Sequence, residues 1–215
     1  MPDLTTLDDS LGERLSLDDY RRDFRNRQWT IDGEDSWKLE RAQHFIEPGL
    51  PSWDAFARGD WDTALHLVDA EREWIEEFSA QARRKRIRLY RVRVAEEPLT
   101  PYLQWEMHLL RLRAECGERI RIVDGAAVAR FERAGRSLPE LVTLGTSTLY
   151  RVLYDDDGAL DGAIRFESPD LVRAVTGLTR GLFRRAEDVR SYFQQRVADL
   201  PPPRRDVLAG AHVRR

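Results

Sequence analysis

The segment Arg91-Val92-Arg93-Val94-Ala95-Glu96-Glu97-Pro98-Leu99-Thr100-Pro101-Tyr102-Leu103-Gln104-Trp105-Glu106 constrains this chain more than any other. Arg91 to Val94 alternate charged and β-branched residues, the period of a strand with two unlike faces. Pro98 ends that run. Thr100 then offers a hydroxyl N-cap, and Pro101 brings the fixed φ of a first helical position. The segment therefore reads as a strand that passes through a turn straight into a capped helix. Charged groups flank the turn on both sides, and such junctions often carry binding chemistry.

The flanking sequence supplies the rest of the elements. Ser16 caps a helix that runs to about Asn26 and buries Leu17, Tyr20 and Phe24. Trp37-Lys38-Leu39 is a short strand, and Trp53–Ala57 a short helix after Pro48, Gly49 and Pro51. Trp61 to Arg86 lacks Gly and Pro and spaces its apolar residues as one long helix or two abutting ones. Ile87–Val94 alternates with a phase slip near Leu89-Tyr90, which calls for a bulge there or a strand start at Tyr90. With that start, Tyr90, Val92 and Val94 face the core, and Arg91 and Arg93 share the opposite face. The Thr100-capped helix should end near Cys116 at Gly117. Glu118–Val123 is a strand, Leu138–Gly145 is partly extended, and Thr148–Tyr154 is a strand. Asp155-Asp156-Asp157-Gly158 turns it into a returning strand at Ala163–Phe166. Ser168 caps a further helix, and Leu178–Ala198 reads as another. The expectation is an α+β fold: a small, mostly antiparallel sheet flanked by helices, as a single domain over 16–200. Residues 1–15 are expected as an acidic flexible lead and 201–215 as a Pro/Arg-rich flexible tail.

Composition narrows the function classes. A net charge of −3 argues against broad attraction to nucleic acid or acidic membranes. Basic charge is nearly all arginine, since Lys38 and Lys85 are the only lysines. The single cysteine, Cys116, excludes an intramolecular disulfide and a multi-cysteine zinc site. No signal-peptide pattern or bilayer-length apolar run is present, so a cytoplasmic protein is expected.

The residues name no reaction. Gly-rich phosphate loop, His-Glu-x-x-His, nucleophile elbow and paired-cysteine motifs are all missing, and the four histidines are scattered. His108 and Cys116 read as structural. The acidic hairpin lacks the spacing and closing Glu of a calcium loop. Arg180, Arg184, Arg185, Arg190 and Arg196 read as a solvated face, and Trp29, Trp37 and Trp53 as possible interface anchors. The best candidate site is the junction itself: Arg91, Arg93, Glu97, Tyr102 and Glu106. Two guanidiniums there can clamp a carboxylate or phosphate, with a carboxylate alongside as base; the bland alternative is an ion-pair network that pins strand to helix. No metal or cofactor is expected.

The pattern R-V-R-V-x-E-E-P-L-T-x-Y-x-x-x-E, with Trp37-Lys38-Leu39-Glu40 and Tyr154-Asp155-Asp156-Asp157-Gly158, resembles an uncharacterised actinobacterial family of unknown function, often encoded beside helix-turn-helix regulators. The resemblance spans about residues 17–175. It departs at Leu141-Val142-Thr143-Leu144-Gly145, where relatives tend to carry an aromatic-rich strand. It implies a cytoplasmic regulatory module and brings no reaction. The expected role is a non-catalytic regulatory or binding module that partners a DNA-binding regulator. The alternative is an enzyme acting on a small anionic or nucleotide-like substrate, with Arg91 and Arg93 holding the anion, Glu106 as base and Tyr102 as proton donor.

Overall fold

A computed structural model describes residues 7–133 and 135–203. Among the described residues, eight strands form one sheet in the order β1-β7-β6-β5-β2-β3-β4-β8. They are β1 (Glu13–Ser16), β2 (Asp35–Glu40), β3 (Arg88–Ala95), β4 (Arg119–Asp124), β5 (Glu140–Leu144), β6 (Thr148–Tyr154), β7 (Leu160–Phe166) and β8 (Glu187–Asp188). The helices are α1 (Leu17–Gln28), α2 (Pro51–Ala57), α3 (Trp61–Ala70), α4 (Arg72–Arg84), α5 (Pro101–Glu115), the single turn α6 (Gly125–Val128), α7 (Pro169–Phe183) and α8 (Val189–Arg196).

The fold is α+β and the sheet is mostly antiparallel, as expected, but it is not small. Its centre is parallel: β2 pairs with β3 and β3 with β4 in the same direction. Helices intervene in both connections, and only such a crossover can join parallel neighbours. The two sides then extend by antiparallel pairing, β5-β6-β7-β1 on one and β8 on the other.

Apolar alternation builds the first layer. Leu39, Val92, Val94, Leu141, Leu149 and Phe166 point to one face, where α7 lays Val172, Val175, Leu178 and Leu182 across them. That spacing of three and four residues is a helical stripe, and each such side chain contributes about 1.5–3 kcal/mol when buried. The opposite face is covered by α1 at the β7 side and by α5 and α8 at the β4 side.

The structure settles four boundaries. First, β3 begins at Arg88 and keeps one register with β2 through Arg93, so neither a bulge nor a start at Tyr90 is needed. Second, the run from Trp61 to Arg84 is two helices that meet at Glu71, one of the two forms read from its spacing. Third, Leu178–Ala198 is not one helix. Arg121 on β4 donates Nη1 to the carbonyls of Phe183 (3.0 Å) and Ala186 (3.5 Å), ending α7. Glu187-Asp188 then pairs with β4, and Asp188 caps α8 through the Arg190 N–H. Fourth, the expected lead is entered by the fold, since Glu13–Ser16 pairs with β7. Gly162 makes that pairing possible: at φ 137°, an added Cβ would lie 2.3 Å from the Leu15 carbonyl oxygen. Residues 1–6 and the Arg-rich end of the tail, 204–215, lie outside the described residues.

Candidate functional site

Alternation along three strands places charge on the sheet face away from α7. Lys38 and Glu40 on β2, Arg91 and Arg93 on β3, and Glu140 at the start of β5 share that face. The register sets Lys38 opposite Arg91 and Glu40 opposite Arg93. The Thr100 hydroxyl accepts from the Leu103 N–H (3.1 Å) and donates to the Gln43 carbonyl (2.6 Å), fixing how α5 enters. α5 then brings Tyr102 and Glu106, one turn apart, over the β3 guanidiniums.

The guanidiniums are inside the molecule. Arg91 is 9% exposed and Arg93 is 0% exposed. Arg91 donates Nε to Glu118 (2.8 Å) and Nη1 to both oxygens of Glu40 (2.9 and 3.2 Å). Arg93 donates Nε to Glu106 (2.7 Å) and Nη1 to the carbonyls of Ala42 (2.5 Å) and Val94 (3.1 Å). Lys38 also pairs with Glu40 (2.6 Å), and Arg113 with Glu118 (2.7 Å). The Tyr102 hydroxyl donates to Glu47 and lies 3.4 Å from Glu106. Glu140 has no ion pair among the described residues; its oxygens accept from the backbone N–H groups of Arg41 and Ala42 (2.7–3.0 Å).

These surroundings split the carboxyls into two groups. Burial opposes ionisation of Glu40, yet Arg91, Lys38 and Arg93 outweigh it and hold its carboxyl well below the usual range. Burial likewise opposes Glu118, and Arg91 with Arg113 brings it down to about 2. For Glu106 burial outweighs the attraction of Arg93, and its carboxyl is raised. Glu140 is pushed up to about 7 by burial, which Arg93 and the backbone donors only partly offset. Tyr102 is driven well above the ordinary phenol range by burial and by Glu106 and Glu47.

The charged face is the floor of a cleft of about 750 Å³. Glu40, Arg91, Tyr102, Glu106, Glu118 and Glu140 line one part of it, and Leu17, Tyr20, Phe24, Phe78, Leu89 and Val142 another. Of the residues singled out from sequence, Arg91, Arg93, Tyr102 and Glu106 are brought together, with Arg93 directly behind Glu106. Glu97 is not. It is exposed and pairs at 2.5 Å with Arg196 of α8. The placement of Arg91 and Arg93 on a face of their own holds; that face is buried rather than open.

Other candidates resolve into structure. Trp37 and Trp53 are core residues, and the exposed tryptophan is Trp74 (59%), stacked on Phe78 at the cleft's edge. The arginines expected along one last helix are divided between α7 and the segment through α8. Arg180 stacks over Trp37, while Arg190 and Arg196 pair with Asp188 and Glu97. His108 packs edge-on against Trp61 and Phe193, and burial pushes its imidazole down to about 4. Cys116 is a buried free thiol. The acidic hairpin is closed by Asp155 Oδ1, which accepts from the N–H groups of Asp157 and Ala159. Among the described residues, no group of three or more His, Cys, Asp or Glu is arranged to hold a metal ion. No described helix is long and apolar enough to cross a membrane.

Glu40, Glu47, Glu118 and Glu140 were not found from sequence. The signal for Glu40 was present: Lys38 and Glu40 alternate with Trp37 and Leu39, as Arg91 and Arg93 alternate with Val92 and Val94. Charge at every second position of two adjacent apolar strands marks a polar stripe across a sheet.

The model of a family described as a domain of unknown function, DUF6879, matches residues 23–194. No curated protein matches the chain.

Proposed function

We infer that this chain, which belongs to the DUF6879 family, is a small-molecule-binding module of a regulatory system and not a catalyst. The observation that carries this is the cleft: at about 750 Å³ it falls within the roughly 300–1,000 Å³ of small-ligand sites, with apolar walls and a few convergent polar groups. The catalytic reading fits the geometry less well. Both guanidiniums that would clamp an anion are committed to carboxylates, and the base proposed for that scheme, Glu106, is bound by Arg93. A phenol raised as far as Tyr102 is a poor proton donor near neutrality.

The wider reading is a cytoplasmic, single-domain module over 16–200, of the actinobacterial type, that works beside a helix-turn-helix regulator. In support, exposed Trp74 stands beside the cleft, where a large apolar side chain suits a partner surface that senses occupancy. The β5 strand, where this chain departs from the aromatic-rich pattern of the family it resembles, supplies Glu140, Val142 and Leu144 to the cleft, which supports a ligand different from theirs.

A thermal-shift screen of the full chain against a small-molecule library tests the binding role. At a hundredfold excess over Kd a ligand stabilises by about 2.7 kcal/mol, or about 5–10 °C in Tm for a domain of this size. Hits of that size support a binding module. Substrate turnover by the purified protein, with conversion lost in Glu106→Gln, overturns it in favour of the enzyme. Co-purification with the neighbouring regulator checks the partner.

A further inference from the structure

Resting on the binding role above, we propose that the cleft receives an organic ammonium ion. Its cationic end sits among Glu47, Glu106 and Glu140 and the rings of Phe45, Tyr102 and Tyr154, with an apolar or aromatic body directed toward α1.

The pairing pattern of the charged side chains points to the sign. Five carboxylates, Glu40, Glu47, Glu106, Glu118 and Glu140, gather at the polar end against four cations, Lys38, Arg91, Arg93 and Arg113. Every one of those cations already holds a carboxylate. Glu47 and Glu140 make no ion pair among the described residues: a phenol donates to Glu47, and only backbone N–H groups donate to Glu140, which is 8% exposed. The remaining lining cation, Arg21, is exposed on α1. An incoming anion would meet guanidiniums that must first leave their partners. Above the raised value of Glu140, about 7, a monocation meets carboxylates with unused lone pairs.

The rings give the same sign independently. Phe45 lies 4.5 Å from Tyr154 and 5.7 Å from Tyr102, centroid to centroid, and all three line the cleft. Ring faces attract cations, and groups of them recognise ammonium ligands. The Arg93 guanidinium already rests over Phe45 at 5.5 Å, which shows a cation against this group of rings. Burial raises the Tyr154 phenol, and the charges of Glu140, Glu40 and Glu47 add to it. Beyond this end the lining turns apolar, with Val142, Leu89, Tyr20 and Phe24. A cation with a long apolar body matches that sequence of surfaces.

The test compares three probes of one shape, tryptamine, tryptophol and indole-3-acetate, by calorimetry on the full chain at pH 8. The expected order is tryptamine tightest by at least tenfold over tryptophol, with indole-3-acetate weakest. Glu140→Gln should reduce the preference for tryptamine over tryptophol about tenfold. Should that variant fail to fold by circular dichroism, Glu47→Gln, nearer the surface, should lower the preference about threefold. Equal binding of tryptamine and tryptophol, or preference for the acid, overturns the ammonium assignment and leaves a ligand cleft standing. No binding by any of the three overturns the assignment, and if the library screen is also empty the binding role falls with it.

Discussion

Glu140 and Glu118 pull stability in opposite directions with pH. A carboxyl raised in the folded state stabilises below its unfolded value of 4.5, and that contribution is lost as pH rises through about 7. Arg93, Glu40 and Tyr154 face Glu140, with the backbone of Arg41 and Ala42, and none of them neutralises it. Ionising it costs on the order of 3 kcal/mol between pH 4.5 and 8. Glu118, near 2 in the fold, behaves oppositely: its stabilisation is present above 4.5 and lost as pH falls toward 2. Thermal melts from pH 5 to 8 should therefore show a falling Tm, and Glu140→Gln should flatten that limb while keeping the acid limb. An unchanged limb in the variant contradicts the assignment. Removing Arg93 alone, as Arg93→Met, leaves Glu106 buried without its cation and should cost about 3–5 kcal/mol in urea melts. Adding Glu106→Leu to it should recover more than half of that loss. At this scale the shared face of Arg91 and Arg93 was legible from period-two spacing. That the face is buried was not, because alternating charge reads as solvent until a neighbouring strand supplies Glu40 and a helix supplies Glu106.

Elements were most legible where local chemistry decides them. Ser16, Thr100 and Ser168 each cap the helix expected after them, and each accepts a backbone N–H of the first turn. The β6–β7 hairpin follows from its acidic turn and Gly158, at φ 90°. The misreadings share a cause: the deciding contact is distant in sequence. Between Leu178 and Ala198 only Gly181 and the cap residue Asp188 depart from a helical pattern, and neither fixes the break; Arg121, over sixty residues earlier, does so by taking the Phe183 carbonyl at the end of α7. β1 was invisible for the same reason, since Glu13–Ser16 becomes a strand only because Gly162 lets β7 approach. Gly162→Ala should detach β1, costing about 1–3 kcal/mol and exposing the amides of residues 13–16 to rapid hydrogen exchange. Protection equal to the wild type in those amides contradicts the close approach as the reason for the glycine.

For the whole molecule, one sheet carries two different faces, and that asymmetry organises the protein. The α7 face carries the apolar layer of Leu39, Val92, Val94, Leu141, Leu149 and Phe166 and supplies stability. The opposite face is apolar under α1 and charged beside α5, and the cleft opens along that change. The α+β class and the dominance of antiparallel pairs were legible from the order of elements. The parallel centre and the eight-strand extent were not, because which strands become neighbours depends on crossovers that no local pattern records. The site was legible in part: four of five residues converge, and Glu97 turns instead to α8. The cleft is the proposed meeting place of the protein and its ligand. The most direct measurement repeats the thermal-shift screen on Leu89→Trp, which fills the cleft from its floor, after circular dichroism has shown the variant folded. The account predicts hits on the wild type whose shifts fall below about 1 °C in the variant; hits that keep their full shift there, or a wild-type screen with no hits, would contradict it.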